Sequence, residues 1–236
     1  MTRKVLRERC LSAVVLGLLA LAAAAPPMHA EEAGAWTLES ALKQLDQSSK
    51  DFRTAVADVE LIVIDGAGAE PRTASGKAYF SRDGSSRFDL TAPDVKSLLC
   101  TGSDLYVYEP AKAIVERFPV NKYAERLEPY PSLGFSLTGK ALSRDYLVGL
   151  LGEATVDGQK TLHLELTPKS DEVRAKVSKI QIWIEQRSWM PIQQTVFHTD
   201  AAQSVTVKYM NASRNVPVDD KTFKPKWPKG TKTVKR

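Results

Sequence analysis

The residues best suited to chemistry are few in this chain, and their spacing gives them little to do. Three histidines and two cysteines occur among 236 residues. His163 and His198 fall in separate alternating segments, without the close spacings that gather metal ligands. No nucleophile elbow, phosphate-binding glycine loop or dinucleotide fingerprint is present. Aspartates and glutamates are scattered, so no carboxylate pair stands out for acid–base work. The pattern predicts a protein that is not an enzyme and holds neither cofactor nor metal. His163 alternates with Leu162 and Leu164, which places it on the solvent side of a strand. Cys100, in the apolar run Leu98-Leu99-Cys100, reads as a buried inert thiol.

Residues 1–30 have the three parts of a secretory leader. A basic head (Arg3, Lys4, Arg7, Arg9) precedes an apolar run from Leu11 to Ala25, and Met28-His29-Ala30 follows. Cleavage is expected after Ala30, with export. The leader holds four basic residues and Glu8, so its removal lowers the net charge from +5 to about +2 and takes away the electrostatic basis for nucleic-acid binding. It also removes Cys10, leaving Cys100 without an intramolecular disulfide partner in an oxidising compartment. Residues 31–236 show no linker, low-complexity tract or repeat, and are expected to form one domain and a monomer.

The elements that must carry any site are mostly strands. Thr37 is placed to cap a helix bearing Leu38, Leu42 and Leu45 on one face. Strands are expected over Val56–Ile64 and Arg72–Ser81, with a turn at Asp83-Gly84 and a return through Arg87–Thr91. Ser97–Phe118 reads as a three-strand meander with breaks at Thr101-Gly102-Ser103 and Glu109-Pro110-Ala111-Lys112. In its middle strand Leu105 and Val107 share one face, and Tyr106 and Tyr108 the other. Both faces are apolar, so parity leaves open which pair points inward. Residues 121–152 mix apolar residues with Pro129, Pro131, Gly134 and Gly139, which forbid one long helix. Ser143–Leu151 reads as a short helix with Ser143 as its cap. Strands resume around Leu162–Leu166, Ile180–Glu185, Met190–His198 and Ser204–Tyr209, roughly nine to eleven in all.

The expected fold is α+β and mainly β: a curled antiparallel sheet, an incomplete barrel, with short helices as a lid. A sheet this large curls under its twist, and its concave face must be covered. The N-terminal helix and the broken helices around 121–151 carry too few large side chains to fill it, which predicts an apolar cavity. An ordinary filled core is the alternative.

The chain resembles the outer-membrane lipoprotein carrier (LolA-type) family. The likeness rests on Gly76-Lys77-Ala78-Tyr79-Phe80-Ser81-Arg82, Arg87-Phe88-Asp89-Leu90, Ala92-Pro93-Asp94 and Gly102-Ser103-Asp104-Leu105-Tyr106-Val107-Tyr108-Glu109-Pro110. Leu164-Glu165-Leu166-Thr167-Pro168, Phe223-Lys224-Pro225 and Pro228-Lys229-Gly230 follow in order. The resemblance implies a periplasmic chaperone that takes lipoprotein acyl chains from an inner-membrane ABC-type exporter. It would then pass them to an outer-membrane receptor. A related half-barrel that binds lipid or senses envelope state without ferrying cargo is the alternative.

On this reading Phe88, Leu90, Leu105, Val107, Leu164, Ile182 and Ile184 line the acyl-chain cavity. Leu147 and Leu150 would face them from the lid. Arg82 matches the family arginine that latches the lid through backbone carbonyls, a task suited to its fork of donors. The family places proline after this arginine; here Asp83 follows and is placed to pair with it. In the basic tail, Lys224, Lys226, Trp227 and Lys229 are candidates for docking an acidic partner or anionic headgroups, with a solvated surface as the alternative.

Overall fold

The computed structural model describes residues 35–119, 135–199 and 203–236, and Ala35–Arg236 forms one compact unit. Helix α1 (Leu38–Ser49) opens it. Thr37 caps this helix as expected: its Oγ1 accepts from Ser40 N at 3.1 Å, while Thr37 N donates to Ser40 Oγ at 3.0 Å.

A first run of six strands follows: β1 (Thr54–Asp65), β2 (Arg72–Ser81), β3 (Ser86–Ala92), β4 (Lys96–Thr101), β5 (Asp104–Glu109) and β6 (Ile114–Pro119). Helix α2 (Gly139–Asp145) introduces a second run, β7 (Tyr146–Val156), β8 (Gln159–Pro168), β9 (Val177–Glu185), β10 (Pro191–His198) and β11 (Gln203–Arg214). A four-residue α3 (Asp171–Arg174) joins β8 to β9, and β12 (Lys232–Lys235) ends the chain. All twelve strands make one open, curled sheet in the order β12-β6-β5-β4-β3-β2-β1-β11-β10-β9-β8-β7. Neighbours run antiparallel except β12, which lies parallel to β6. Each run is a meander with short connections, and the two meet where β1 pairs with β11.

Two of the twelve strands lie where the sequence predicts none, and both correct the sequence reading. The segment read as a helix from Ser143 is α2 followed by β7: Thr138, not Ser143, is the cap, and the helix stops at Asp145. Tyr146, Leu147, Leu150 and Leu151 satisfy helical spacing, but a ten-pair ladder to β8 decides for strand. The other extra strand is β12, drawn from the basic tail. The segment 120–134, which carries much of the expected lid, lies outside the described residues, as does the leader.

Two apolar clusters cover the concave face. One gathers Ala41 and Leu45 of α1, Leu142 of α2, and Leu162, Leu164, Leu166, Ile180, Ile182 and Ile184 of β8 and β9. The alternation in β8 and β9 thus presents a fully apolar surface to the helical stripe. The other gathers Phe80, Phe88, Leu90, Leu98, Leu105, Phe135, Val207 and Tyr209 over β1–β5 and β11. The two helices meet backbone to backbone: a Cβ on Gly139 would lie 2.3 Å from the Leu42 carbonyl oxygen, and Asp46 Oδ1 accepts from Lys140 N. Gly139→Ala must therefore push α2 off α1. Overpacking of this kind costs about 1–3 kcal/mol, so the urea midpoint should fall clearly. An unchanged midpoint would show that the contact is not tight.

Candidate apolar binding cleft

The helices leave part of the concave face open. Beside the aromatic cluster lies a cleft of about 590 Å³, lined by Leu61, Val63, Ala74, Leu90 and Pro93 together with Thr73, Asp65, Arg72, Asp94 and Lys96. That volume is within the range of about 300–1,000 Å³ of small-molecule sites. Strand parity builds it. Leu61 and Val63 are alternate residues of β1, and Leu61 stands opposite Ala74 of β2, so their side chains share the inner face. Charged groups occupy the exposed part, where Arg72 Nε and Nη2 donate to Asp65 Oδ2 at 2.9 and 2.5 Å. An apolar floor beside a charged margin matches an amphiphile.

The residues proposed from sequence as a cavity wall divide between packed core and cleft. Leu90 lines the cleft. Phe88 and Leu105 are buried in the same cluster, and Val107 packs against it. Leu164, Ile182 and Ile184 are 0% exposed beneath α1 and α2, so they border no space that a ligand enters in this conformation. Leu147 and Leu150 are not on a helix: both belong to edge strand β7, where Leu147 is 60% exposed and Leu150 packs against the β8–β9 cluster. Leu61, Val63 and Ala74 also line the cleft; they carry no distinctive signal in the sequence, being ordinary apolar residues of β1 and β2.

The structure also settles the faces of β5. Leu105 and Val107 point inward, while Tyr106 and Tyr108 lie outward beneath Trp227, at ring-centroid distances of 6.3 and 4.9 Å. The Arg87 guanidinium lies 5.8 Å from the same indole. The tail is thus not a solvated strand of chain: Trp227 packs on the sheet, and β12 pairs with β6. Lys224, Lys226 and Lys229 remain exposed around it. Nearby, Asp104 accepts from Arg117 at 2.8 and 2.9 Å, and this guanidinium holds its carboxyl below the usual range.

Arg82 sits in the β2–β3 turn with its side chain exposed, and its backbone N–H donates to Arg53 O at 2.8 Å. Asp83 accepts from Ser85 N at 2.9 Å, which caps the turn. The segment that Arg82 would latch is not among the described residues. His163 faces outward as its parity requires, but it is half-buried, its ring stacked on Trp183 at 4.2 Å. Desolvation pushes its pKa down. Burial pushes the Cys100 thiol up, away from reactivity. Among the described residues no group of three or more His, Cys, Asp or Glu side chains is placed to hold a metal ion, and no helix is long and apolar enough to cross a membrane.

An open, curled antiparallel sheet, packed by helices on one side and by an aromatic cluster with an apolar cleft beside it on the other, defines a half-barrel of the binding type. The chain belongs to the outer membrane lipoprotein carrier protein LolA family, whose profile matches residues 50–226. It is 23% identical over 207 residues to an outer-membrane lipoprotein carrier protein of Chromohalobacter salexigens, covering 88% of this chain and 89% of that one. It is 24% identical over 192 residues to an uncharacterised protein of Methanocaldococcus jannaschii, covering 81% of this chain. The chain spans about half the length of that archaeal relative, 52%. Among solved structures, an uncharacterised conserved protein from Thermus thermophilus superposes with a TM-score of 0.55 at 10% identity, over 84% of this chain and 98% of that one.

The position of Trp227 has a direct test. Trp227→Ala removes the indole from Tyr106, Tyr108 and Arg87, and should destabilise the fold by about 1–3 kcal/mol. Limited proteolysis should then cut within residues 220–236. Unchanged stability and protection would mean that the indole serves only an external partner.

Proposed function

We propose that this protein is a periplasmic carrier that shields lipoprotein acyl chains on its concave face and moves them from the inner to the outer membrane. The observation that carries the proposal is an apolar cleft of about 590 Å³ left unfilled in a chain that matches the carrier family over residues 50–226. Each CH₂ removed from water contributes about 0.8 kcal/mol, so an acyl chain needs such a surface to cross an aqueous compartment. The charged margin at Asp65, Arg72, Asp94 and Lys96 would meet the polar end of the cargo. On this reading the N-terminal leader exports the carrier to the compartment between the two membranes. Its partners are then an ABC-type exporter on the inner membrane and a receptor on the outer membrane. The exposed Lys224, Lys226 and Lys229 offer them a basic surface, and Arg82 remains the candidate latch.

Native mass spectrometry with a triacylated lipopeptide tests the proposal. A one-to-one adduct is expected, and Leu61→Asp should weaken it at least about tenfold by placing a charge against the chain. Absence of an adduct with the native protein would overturn the proposal. Retention of the lipopeptide in the presence of acceptor vesicles would favour a sensor over a carrier.

A further inference from the structure

The inner face of the sheet is apolar along most of its rows, and one exception stands near its centre. Across successive ladders Ala74 faces Leu61, Leu61 faces Val207, Val207 faces Gln194, Gln194 faces Ile182, and Ile182 faces Leu164. Gln194 is the polar member of that row. It is 0% exposed, and neither Nε2 nor Oε1 has a hydrogen-bond partner among the described residues. Tyr209, two residues from Val207 on the same face of β11, is its diagonal neighbour. Tyr209 is 3% exposed, and its hydroxyl is likewise unpartnered among the described residues. Folded proteins pair nearly all such atoms. Two neighbouring exceptions on the face that also forms the cleft mark a place where something else supplies the partner.

We infer that Gln194 and Tyr209 form a polar station for the acyl carbonyl of an ester- or amide-linked lipid whose chain lies in the cleft. This rests on the acyl-binding reading above and names the kind of chain the site selects. Leu61 and Ala74 line the cleft and share the row with Gln194. At a strand spacing of about 4.8 Å, Gln194 lies about 10 Å from Leu61, within reach of one extended chain. Both side chains offer donors, the amide N–H groups and the phenolic O–H, which an acyl carbonyl can accept from, and Gln194 Oε1 is free to accept from the N–H of an amide-linked lipid. The bound group must be neutral. Val207, Ile182 and Leu164 surround the station with hydrocarbon, and a carboxylate would be buried there without a cation. Burial likewise keeps the Tyr209 phenol protonated. A bound ester or amide therefore fits, and an ionised fatty-acid carboxylate does not.

Phe135 packs against the Tyr209 side of the station. Its ring centroid lies 5.0 Å from that of Tyr209 and 4.6 Å from that of Phe80. An acyl chain that displaces this ring inherits its apolar contacts and brings its carbonyl against the hydroxyl, while the headgroup leaves where Phe135 stood.

The test is displacement of a neutral apolar fluorophore from the full chain by palmitoyl lysophosphatidylcholine and by its hexadecyl ether analogue, which lacks the carbonyl oxygen. The native protein should bind the ester about tenfold more tightly, the effect of a hydrogen bond to an otherwise unpartnered buried donor. Gln194→Leu and Tyr209→Phe should bind both lipids as the native protein binds the ether, with melting temperatures equal to or above native. Equal binding of ester and ether by the native protein would overturn the inference, because a bridging water would then suffice for these groups. Persistence of the preference in both variants would overturn it as well. Equal displacement by both lipids leaves the acyl-binding proposal standing, whereas displacement by neither removes both.

Discussion

The pairing of β1 with β11 is the contact on which the rest of the structure depends. Every other antiparallel neighbour is consecutive in the chain, so each meander zips through short loops. β1 and β11 are brought together from opposite ends, and closing so long a loop is entropically costly before any contact rewards it. Their register runs from Ala55 opposite Arg214 to Asp65 opposite Gln203, with a bulge near Val56. One end is fastened further: Arg53 N donates to Asn215 Oδ1 at 2.8 Å, and Asn215 Nδ2 donates to Asp51 O at 2.8 Å. The Arg214 guanidinium donates to Ser48 O at the end of α1 and lies 5.7 Å from the Phe52 ring. These contacts tie the helix to the seam. Without them the chain would hold two sheets, each with an additional open edge.

Joining the meanders creates a concave face wider than the helices can cover. α1 and α2 lie over β8 and β9, where each fully buried leucine or isoleucine contributes about 1.5–3 kcal/mol. On the other side of the seam the cover is aromatic: Phe80 packs against Phe88, Phe135 and Tyr209 at 5.7, 4.6 and 5.8 Å. Rings leave more irregular space than interdigitated aliphatic chains, and the cleft begins where they end. Tyr209 of β11 at the seam and Gln194 of β10 beside it carry unpartnered groups that cost about 1–3 kcal/mol each. That cost is comparable to the gain from one buried leucine, so the packed half can carry it. Stability and vacancy are thus divided between the two meanders.

Much of this was legible in the residues, and the parts that were not have physical reasons. Thr37, Leu42 and Leu45 announced α1, and Leu162-Leu164-Leu166 with Ile180-Ile182-Ile184 announced two half-buried strands. That same regularity lets α1 and α2 cover Leu164, Ile182 and Ile184 completely, while the cleft lies beside the less regular aromatic cluster. Tyr146–Leu151 fits helical and strand spacing alike, since apolar residues occupy both faces of β7; pairing with β8 is a tertiary fact that local spacing does not contain. β12 is four residues long and half lysine, and only its position beside β6 makes it a strand. The faces of Tyr106 and Tyr108 were ambiguous until Trp227, more than a hundred residues later, selected the outer one. Gln194 did leave a trace: it holds an inward position between Ile192 and Val196, but the adjacent Gln193 offers the same side chain to the opposite face.

On the carrier proposal, a protein that holds and then surrenders a hydrophobic cargo cannot finish its core. A cavity sealed by interlocking aliphatic chains would resist opening, and one left bare would expose apolar surface to water. Here the aliphatic half keeps the sheet curled whether or not the aromatic half is rearranged, because Ala41, Leu45 and Leu142 do not belong to the cluster that borders the cleft. On the inference drawn above, Phe135 would exchange places with an acyl chain while α1 stays on β8 and β9. The unpartnered Gln194 and Tyr209 lower the stability of the empty state relative to the loaded one. On the carrier proposal that difference would favour loading, while the small number of polar contacts would keep release within reach of a competing receptor.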